Sequence, residues 1–465
     1  MRQELLSVLC IGVCLSGCAH AQKYERPAAP ITSTWPQSAT TPSQSLTGAV
    51  AAETKWQDFF TDKNLQSVIG LALSNNRDLR IAALNVDRTQ ALYRIQRSQQ
   101  FPELDATAGA DLYRVPKDLS ATGGAYTYRQ YNLGGSVNWE LDLFGRVRSL
   151  KREALEQFFS TEQARSAAQI SLVAQVANTY LTLAADRENL KLAQATLDAQ
   201  QASLELVKQT RDAGIGSDLD LRQAESQVEA ARVDIARYTG QISLDENALN
   251  LLVGAPVAAT LLPNELDTHG VTKELSAGLP SDVLLRRPDI SAAEHQLKSA
   301  NANIGAARAA LFPRITLTGG GGVMSPGLSD LFKNDPQTWS FSPQIVLPIF
   351  DAGARRANLK VARIDRDVAV AEYEKAIQSG FREVSDSLTL RSKLTEQQEA
   401  QQALVGTLED TYRLSDLRYK AGIDGYLTVL VAQRSMYAAQ QALVNLRLAR
   451  QSNLVTLYKV LGGGV

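Results

Sequence analysis

Two hydrophobic periods alternate along this chain, and they do so twice in the same order. A 3.6-residue period starts near Asn64 and runs through "NRDLRIAALNVDRTQALYRIQRSQQ" to Phe101-Pro102, where proline stops a helix. The period then becomes 2. Leu104, Ala106, Ala108, Ala110 and Leu112 alternate with polar residues, and after a turn-rich "PKDLSATGGAY" so do Tyr131, Leu133, Val137, Trp139, Leu141 and Leu143. Each run predicts a strand with one apolar face. Between Gly145 and the turn at Ala213-Gly214 there is neither proline nor glycine, so a helix of about 67 residues, or ~100 Å, is predicted. Val176, Leu183, Leu190, Leu197 and Leu204 recur every seventh residue along it, the spacing of a coiled-coil seam. The "AGIGS" turn and a second helix to about Val253 follow.

The second half repeats the first. Ala213-Gly214-Ile215 lies over Ala421-Gly422-Ile423 at an offset of 421 − 213 = 208, which also pairs Gly254 with Gly462. Phe312-Pro313 lies over Phe101-Pro102 at 211, and Phe350 over Phe144 at 206, so short insertions fall in the strand loops. The predicted division is a signal at 1–17, a Pro/Ser/Thr-rich tether at 18–62, a first repeat at 63–262 and a second at 263–465. In the first repeat a helix precedes strands 103–114 and 127–143, then helix 145–212, tip 213–217 and helix 218–253. The second has helix 288–311, strands 314–324 and 338–350, helix 354–420, tip 421–425 and helix 426–461.

Four amphipathic strands cannot span hydrocarbon alone, because open edges strand unpaired N–H and C=O groups. Closure takes about eight strands or more, so a transmembrane barrel here requires several chains. The other reading of the pattern is a four-stranded sheet packed on helices in a soluble protein.

A net charge of −1 gives no broad attraction to nucleic acid. All three cysteines lie at 10, 14 and 18, beside an apolar stretch from Leu5 to Leu15 that reads as a signal core. "LSGC" at 15–18 resembles a bacterial lipobox, which implies cleavage before Cys18 and a covalent lipid on it, the one non-protein group expected. Ala19 after it favours the outer membrane, with the chain reaching into the periplasm. The mature histidines His20, His269 and His295 stand far apart, with no metal-ligand or nucleophile constellation around them. "GGGG" at 319–322 lacks the Lys-Ser/Thr of a phosphate loop and suits tight strand packing. No cofactor, metal or enzymatic activity is expected.

"WELDLFGRVRSL" at 139–150, "RRPDI" at 286–290, "NIGAARAALFPRI" at 303–315, "LPIFDAG" at 347–353 and "AGIDGYLTVLVAQRS" at 421–435 resemble the TolC-like outer membrane factor family, most closely its NodT-type efflux lipoproteins. That resemblance implies a mainly α fold with transmembrane β: a homotrimer whose twelve strands close one barrel above a periplasmic tunnel of long helices. It implies the exit duct of a tripartite small-molecule efflux system, partnered by a periplasmic adaptor and an RND-type inner-membrane transporter. By the family pattern, Gly214, Ser217, Gly422 and Asp424 at the two tips meet the adaptor. A pore constriction is implied at Leu427, Val431 and Arg434, with Leu219, Gln223 and Asp220 from the other repeat. Val431 stands where the family pattern has an aspartate, which speaks against a carboxylate ring at that level; the alternatives are an apolar ring of Leu427 and Val431 closing by dewetting, and negative charge from Asp218 and Asp220. The exit channel of a type I protein secretion system, and a trimeric structural lipoprotein, are the alternatives. The second predicts strands at one chain end only.

Overall fold

The computed structural model describes residues 24–32, 34–35, 49–50, 54–121, 123–266, 275–276, 284–333 and 335–464. The lipobox, Cys18, His20, His269 and most of the tether lie outside the described residues. The elements are α1 (Lys63–Asn75), α2 (Arg77–Ser98), β1 (Glu103–Val115), β2 (Tyr126–Leu141), α3 (Arg146–Asp212), α4 (Asp218–Val253), α5 (Pro288–Ala309), β3 (Arg314–Ser325), β4 (Gln337–Val346), α6 (Ala354–Lys420) and α7 (Tyr426–Val460). Two-residue strands Ala49–Val50 and Leu275–Ser276 pair in parallel.

One expected element divides in two. The helix read as continuous from Asn64 to Phe101 breaks at Asn76, whose extended ψ of 131° ends α1. The Asn76 side chain makes the break stable. Its Oδ1 accepts from Leu79 N (2.8 Å), capping α2, while Nδ2 donates to Leu252 O at the end of α4 (2.8 Å). The second repeat uses a different residue for the same job. Arg287, 211 positions on (287 − 76), donates through Nη1 to Val460 O (2.9 Å), and Val460 is the counterpart of Leu252 at offset 208 (460 − 252). Arg287 is buried and also grips Asp289 through Nε and Nη2 (3.0 and 2.7 Å) and Glu383 through Nη2 (2.7 Å). The "RRPDI" signature is thus a helix-start staple.

Chain contacts divide the protein into two compact units that cut across the repeats. The first comprises Asn85–Glu162 and Ala292–Tyr373 with the stretch 24–28; the second holds the rest of the described chain. The first unit carries the sheet, of order β1-β2-β3-β4, antiparallel throughout. Its register aligns Leu104, Val137, Gly319 and Phe341 across one face. On the other face it aligns Asp105, Ser136, Gly320 and Ser340. The sheet therefore has an apolar and a polar side, and Trp339, Phe341 and Ile345 stand exposed on the apolar one. A side chain at Gly322 would strike the Leu133 carbonyl and Gly134 Cα, so the glycine run permits close strand approach. Also in this unit, buried Glu294 of α5 holds the N-terminal stretch: Arg26 binds it in bidentate fashion (3.0 and 2.8 Å) and Tyr24 Oη donates to it (3.1 Å).

The second unit contains the main core, where Phe59, Phe60, Leu65, Ile69, Val176, Leu183, Leu249 and Tyr458 are fully buried. Phe59 stacks on Tyr458 at 4.2 Å. Among the described residues no helix is long and apolar enough to cross a membrane.

Candidate functional site: the hairpin tips and adjoining helix ends

The two helical hairpins of the second unit end in the same turn. At the first tip Gly214 takes φ +77°, Ile215 N donates to Thr210 O (2.9 Å) and Gly214 N to Arg211 O (2.8 Å). At the second Gly422 takes φ +71°, Ile423 N donates to Arg418 O (2.9 Å) and Gly422 N to Tyr419 O (2.9 Å). This pair of bonds is the Schellman arrangement, and its left-handed position suits glycine.

The next helix starts differently at each tip. Ser217 caps α4: its Oγ accepts from Asp220 N (3.1 Å) and donates to Asp220 Oδ2 (2.7 Å). Gly425 offers α7 no side-chain cap. There Arg418 clasps Asp424 through Nε and Nη2 (2.6 and 3.0 Å), which holds the Asp424 carboxyl below its ordinary range. The first tip has the lesser form of this clasp, Arg211 Nε to Asp218 Oδ1 at 2.9 Å.

Each apex presents an isoleucine. Ile215 is 84% exposed and Ile423 62%. Neither was singled out as a contact residue, although both stand in the repeated Ala-Gly-Ile. The hairpins adhere just behind the tips through buried Val207, Leu221, Ala224, Tyr426, Val429 and Leu430, with Tyr412 and Tyr419 packed alongside. Burial pushes the Tyr426 hydroxyl up to about 12. Its oxygen has no hydrogen-bond partner among the described residues.

Leu427, Val431 and Arg434, spaced four and three apart, share one exposed face of α7. Leu219 is exposed on α4, with Gln223 and Asp220 half-buried close by in sequence. Val431 and Arg434 line an open groove of about 540 Å³ with Gln227, Ala230, Ser435, Tyr437 and Ala438. The Val431 side of this groove is apolar, as its sequence implies, and Arg434 supplies the charge. Among the described residues no group of three or more His, Cys, Asp or Glu side chains could hold a metal ion, and His295 instead bonds Glu156 (2.8 Å).

A sheet with one apolar face, two long helical hairpins and matched tips define a membrane-channel protein built on a duplicated unit. The family model described as "Outer membrane efflux protein" matches residues 68–255 and again 279–463, and the chain belongs to that family. It is similar to the probable efflux pump outer membrane protein TtgC of Pseudomonas putida, 48% identical over 468 residues covering 100% of this chain and 96% of the relative. It is 46% identical to the solvent efflux pump outer membrane protein SrpC of Pseudomonas putida, over 97% of this chain and 96% of SrpC. Among solved structures, the open state of the Neisseria gonorrhoeae MtrE outer membrane channel superposes with a TM-score of 0.87 at 39% identity, covering 96% of this chain and 98% of that one. The protein is thus an outer-membrane efflux channel component of TolC-like fold, and not an enzyme.

Proposed function

We propose that three copies of this chain close one outer-membrane barrel and form the exit duct for small apolar and amphipathic molecules. An RND-type inner-membrane transporter supplies the energy, and a periplasmic adaptor joins it to the duct. The observation that carries this reading is the sheet: four strands with one mainly apolar face and, among the described residues, both edges open, Glu103–Val115 on one side and Gln337–Val346 on the other. Such edges are untenable in hydrocarbon, and three copies supply the twelve strands that closure allows. A small apolar cargo agrees with the solvent named for SrpC.

Gly214, Ser217, Gly422 and Asp424 shape the surface the adaptor meets, and Ile215 and Ile423 are its apolar contacts. Leu427, Val431 and Arg434 narrow the duct, with Leu219, Gln223 and Asp220 contributed by the first hairpin. A lipid on Cys18 anchors the chain. The test is native mass in detergent together with single-channel conductance in planar bilayers, for the protein and for Val431→Asp. A trimer with small conductance, enlarged or turned cation-selective by the aspartate, is expected. A monomer with no conductance from either protein would overturn the reading.

A further inference from the structure

The strand register lets the apolar face of the sheet be followed to its end. Along β2 every second residue from Leu141 to Tyr131 belongs to it, and along β1 every second residue from Leu104 on. Past Tyr131 the face changes character. Its next pair is Leu112↔Arg129 and its last is Arg114↔Thr127. Arg114 and Arg129 are the only charged residues that the four strands place on this face. No carboxylate shares it, because Glu103, Asp105, Asp111 and Glu140 all fall on the polar face. Both arginines are exposed, and neither has a hydrogen bond or ion pair among the described residues. One pair apart on neighbouring strands, they are diagonal neighbours at roughly 7–8 Å, within reach of each other's side chains. Two like charges so placed repel, and nothing on this face offsets them.

Their place along the strand sets their depth. Leu141 to Tyr131 is ten residues (141 − 131). At ~3.3 Å per residue and a tilt of about 40°, that run gives about 25 Å of height, the height of the apolar band on an outer-membrane barrel. Arg129 stands two residues further on, ~5 Å beyond the band, and Arg114 one pair beyond that. This is the end of the sheet away from the helices. α2 leads into Glu103 and α3 follows Leu141, whereas Val115 and Tyr126 flank the loop at the other end. With the helices in the periplasm, the arginine pair lies at the outer leaflet.

We propose that Arg114 and Arg129 form a binding site for a phosphate of the phosphorylated glycolipid in the outer leaflet. The inference rests on the outer-membrane barrel proposed above and gives its lipid-facing surface a ligand. Guanidinium groups hold phosphate through charge-assisted, often bidentate bonds, and an anion between the two relieves their repulsion. The acyl chains of the same lipid then lie along Tyr131 and Leu133, the apolar rows below the pair. The outer-leaflet side selects a glycolipid over a phospholipid.

The test uses the full-length protein in detergent, with native mass spectrometry counting bound lipid A. The bis-phosphorylated form is compared with the form stripped of both phosphates. Wild type should prefer the phosphorylated form by about tenfold or more, the worth of one hydrogen bond to a charged group. So should Lys360→Gln/Arg363→Gln, which removes the same charge from α6. Arg114→Gln/Arg129→Gln should lose the preference, and Arg114→Lys/Arg129→Lys, which keeps both charges, should retain most of it. No preference in wild type, or the same preference in wild type and the glutamine variant, overturns the site. Displacement of lipid A by an equal concentration of phosphatidylglycerol, or by inorganic phosphate alone, overturns the choice of glycolipid. Native mass and conductance of the same preparations keep the two readings apart. A conducting trimer without phosphate preference overturns this site alone, whereas a monomer without conductance overturns the barrel beneath it.

Discussion

Asp245 shares its site with a second carboxyl, that of Asp186. It is buried on α4, Gln241 Nε2 donates to its Oδ1 (3.1 Å), and its Oδ2 has no donor among the described residues. Asp186 of α3 can supply one only by carrying a proton. Burial, then the adjacent Asp245 carboxyl, pushes Asp186 up to about 6, with Arg237 opposing. A folded-state value raised from 3.8 means stability that is whole below pH 3.8 and lost as pH rises through about 6. Asp186→Asn keeps a donor and removes the charge. It should therefore raise stability near neutral pH by ~1 kcal/mol, a value discounted for the partial exposure of the site, and have little effect at about pH 4. Thermal unfolding in detergent at both pH values checks this, and an equal shift at both would sink it. Such pairs are not legible in sequence, since Asp186 and Asp245 are 59 positions apart (245 − 186) on two different helices. Asn76 was missed for a related reason. An asparagine inside a good helical pattern breaks it only because Leu252 O waits to be bonded, and that carbonyl is supplied by tertiary structure.

At the scale of elements, much was readable. The helix α3 was legible because proline and glycine are absent from it, α6 because the repeat places it at the same point of the second half, and the strands because period-2 alternation survived. The tips were legible through their glycines. The tyrosines behind them were not, because Tyr412 and Tyr419 lie on α6 and Tyr426 on α7, and only the turn between the helices brings them together. The turns themselves give a test that separates local from global stability. Gly214→Ala and Gly422→Ala each place a Cβ at positive φ, costing about 1 kcal/mol. The cost falls on a turn whose apex is exposed, so the unfolding temperature should barely move. Exchange of the Ile215 and Ile423 amides, which donate to Thr210 O and Arg418 O, should instead quicken about fivefold. Ser217→Ala should reproduce the effect at the first tip only, because the second has no capping side chain to lose. Unchanged exchange in both glycine variants would show that the turn is held by its neighbours and not by its own backbone.

The duplication acquires its meaning at the scale of the assembled molecule. In the proposed trimer, a chain with one repeat would need six copies to close the same ring, and every seam would have to be made by association. Fusing two repeats makes half of the seams covalent and frees them to be polar, which is where His295, Glu156 and Ser299 stand. The other three seams of that proposed trimer form by association of separate copies. At the repeat offsets of 211, 208 and 206, the counterparts of Ala306, Phe312, Glu156 and Phe144 are the exposed Ile95, Phe101, Ile364 and Phe350, and full burial of such a side chain contributes about 1.5–3 kcal/mol. An assembly held this way should ignore ionic strength, because screening acts on charges and not on apolar area. The trimer should therefore persist from low to about 1 M salt. Ile364→Glu should convert it to monomer by burying an unpaired carboxylate in each of the three seams, whereas His295→Ala, confined to the in-chain seam, should leave it trimeric. Native mass across the salt series decides the matter. Dissociation by salt, or equal loss of trimer in the two variants, would mean that charge and not apolar matching brings the copies together.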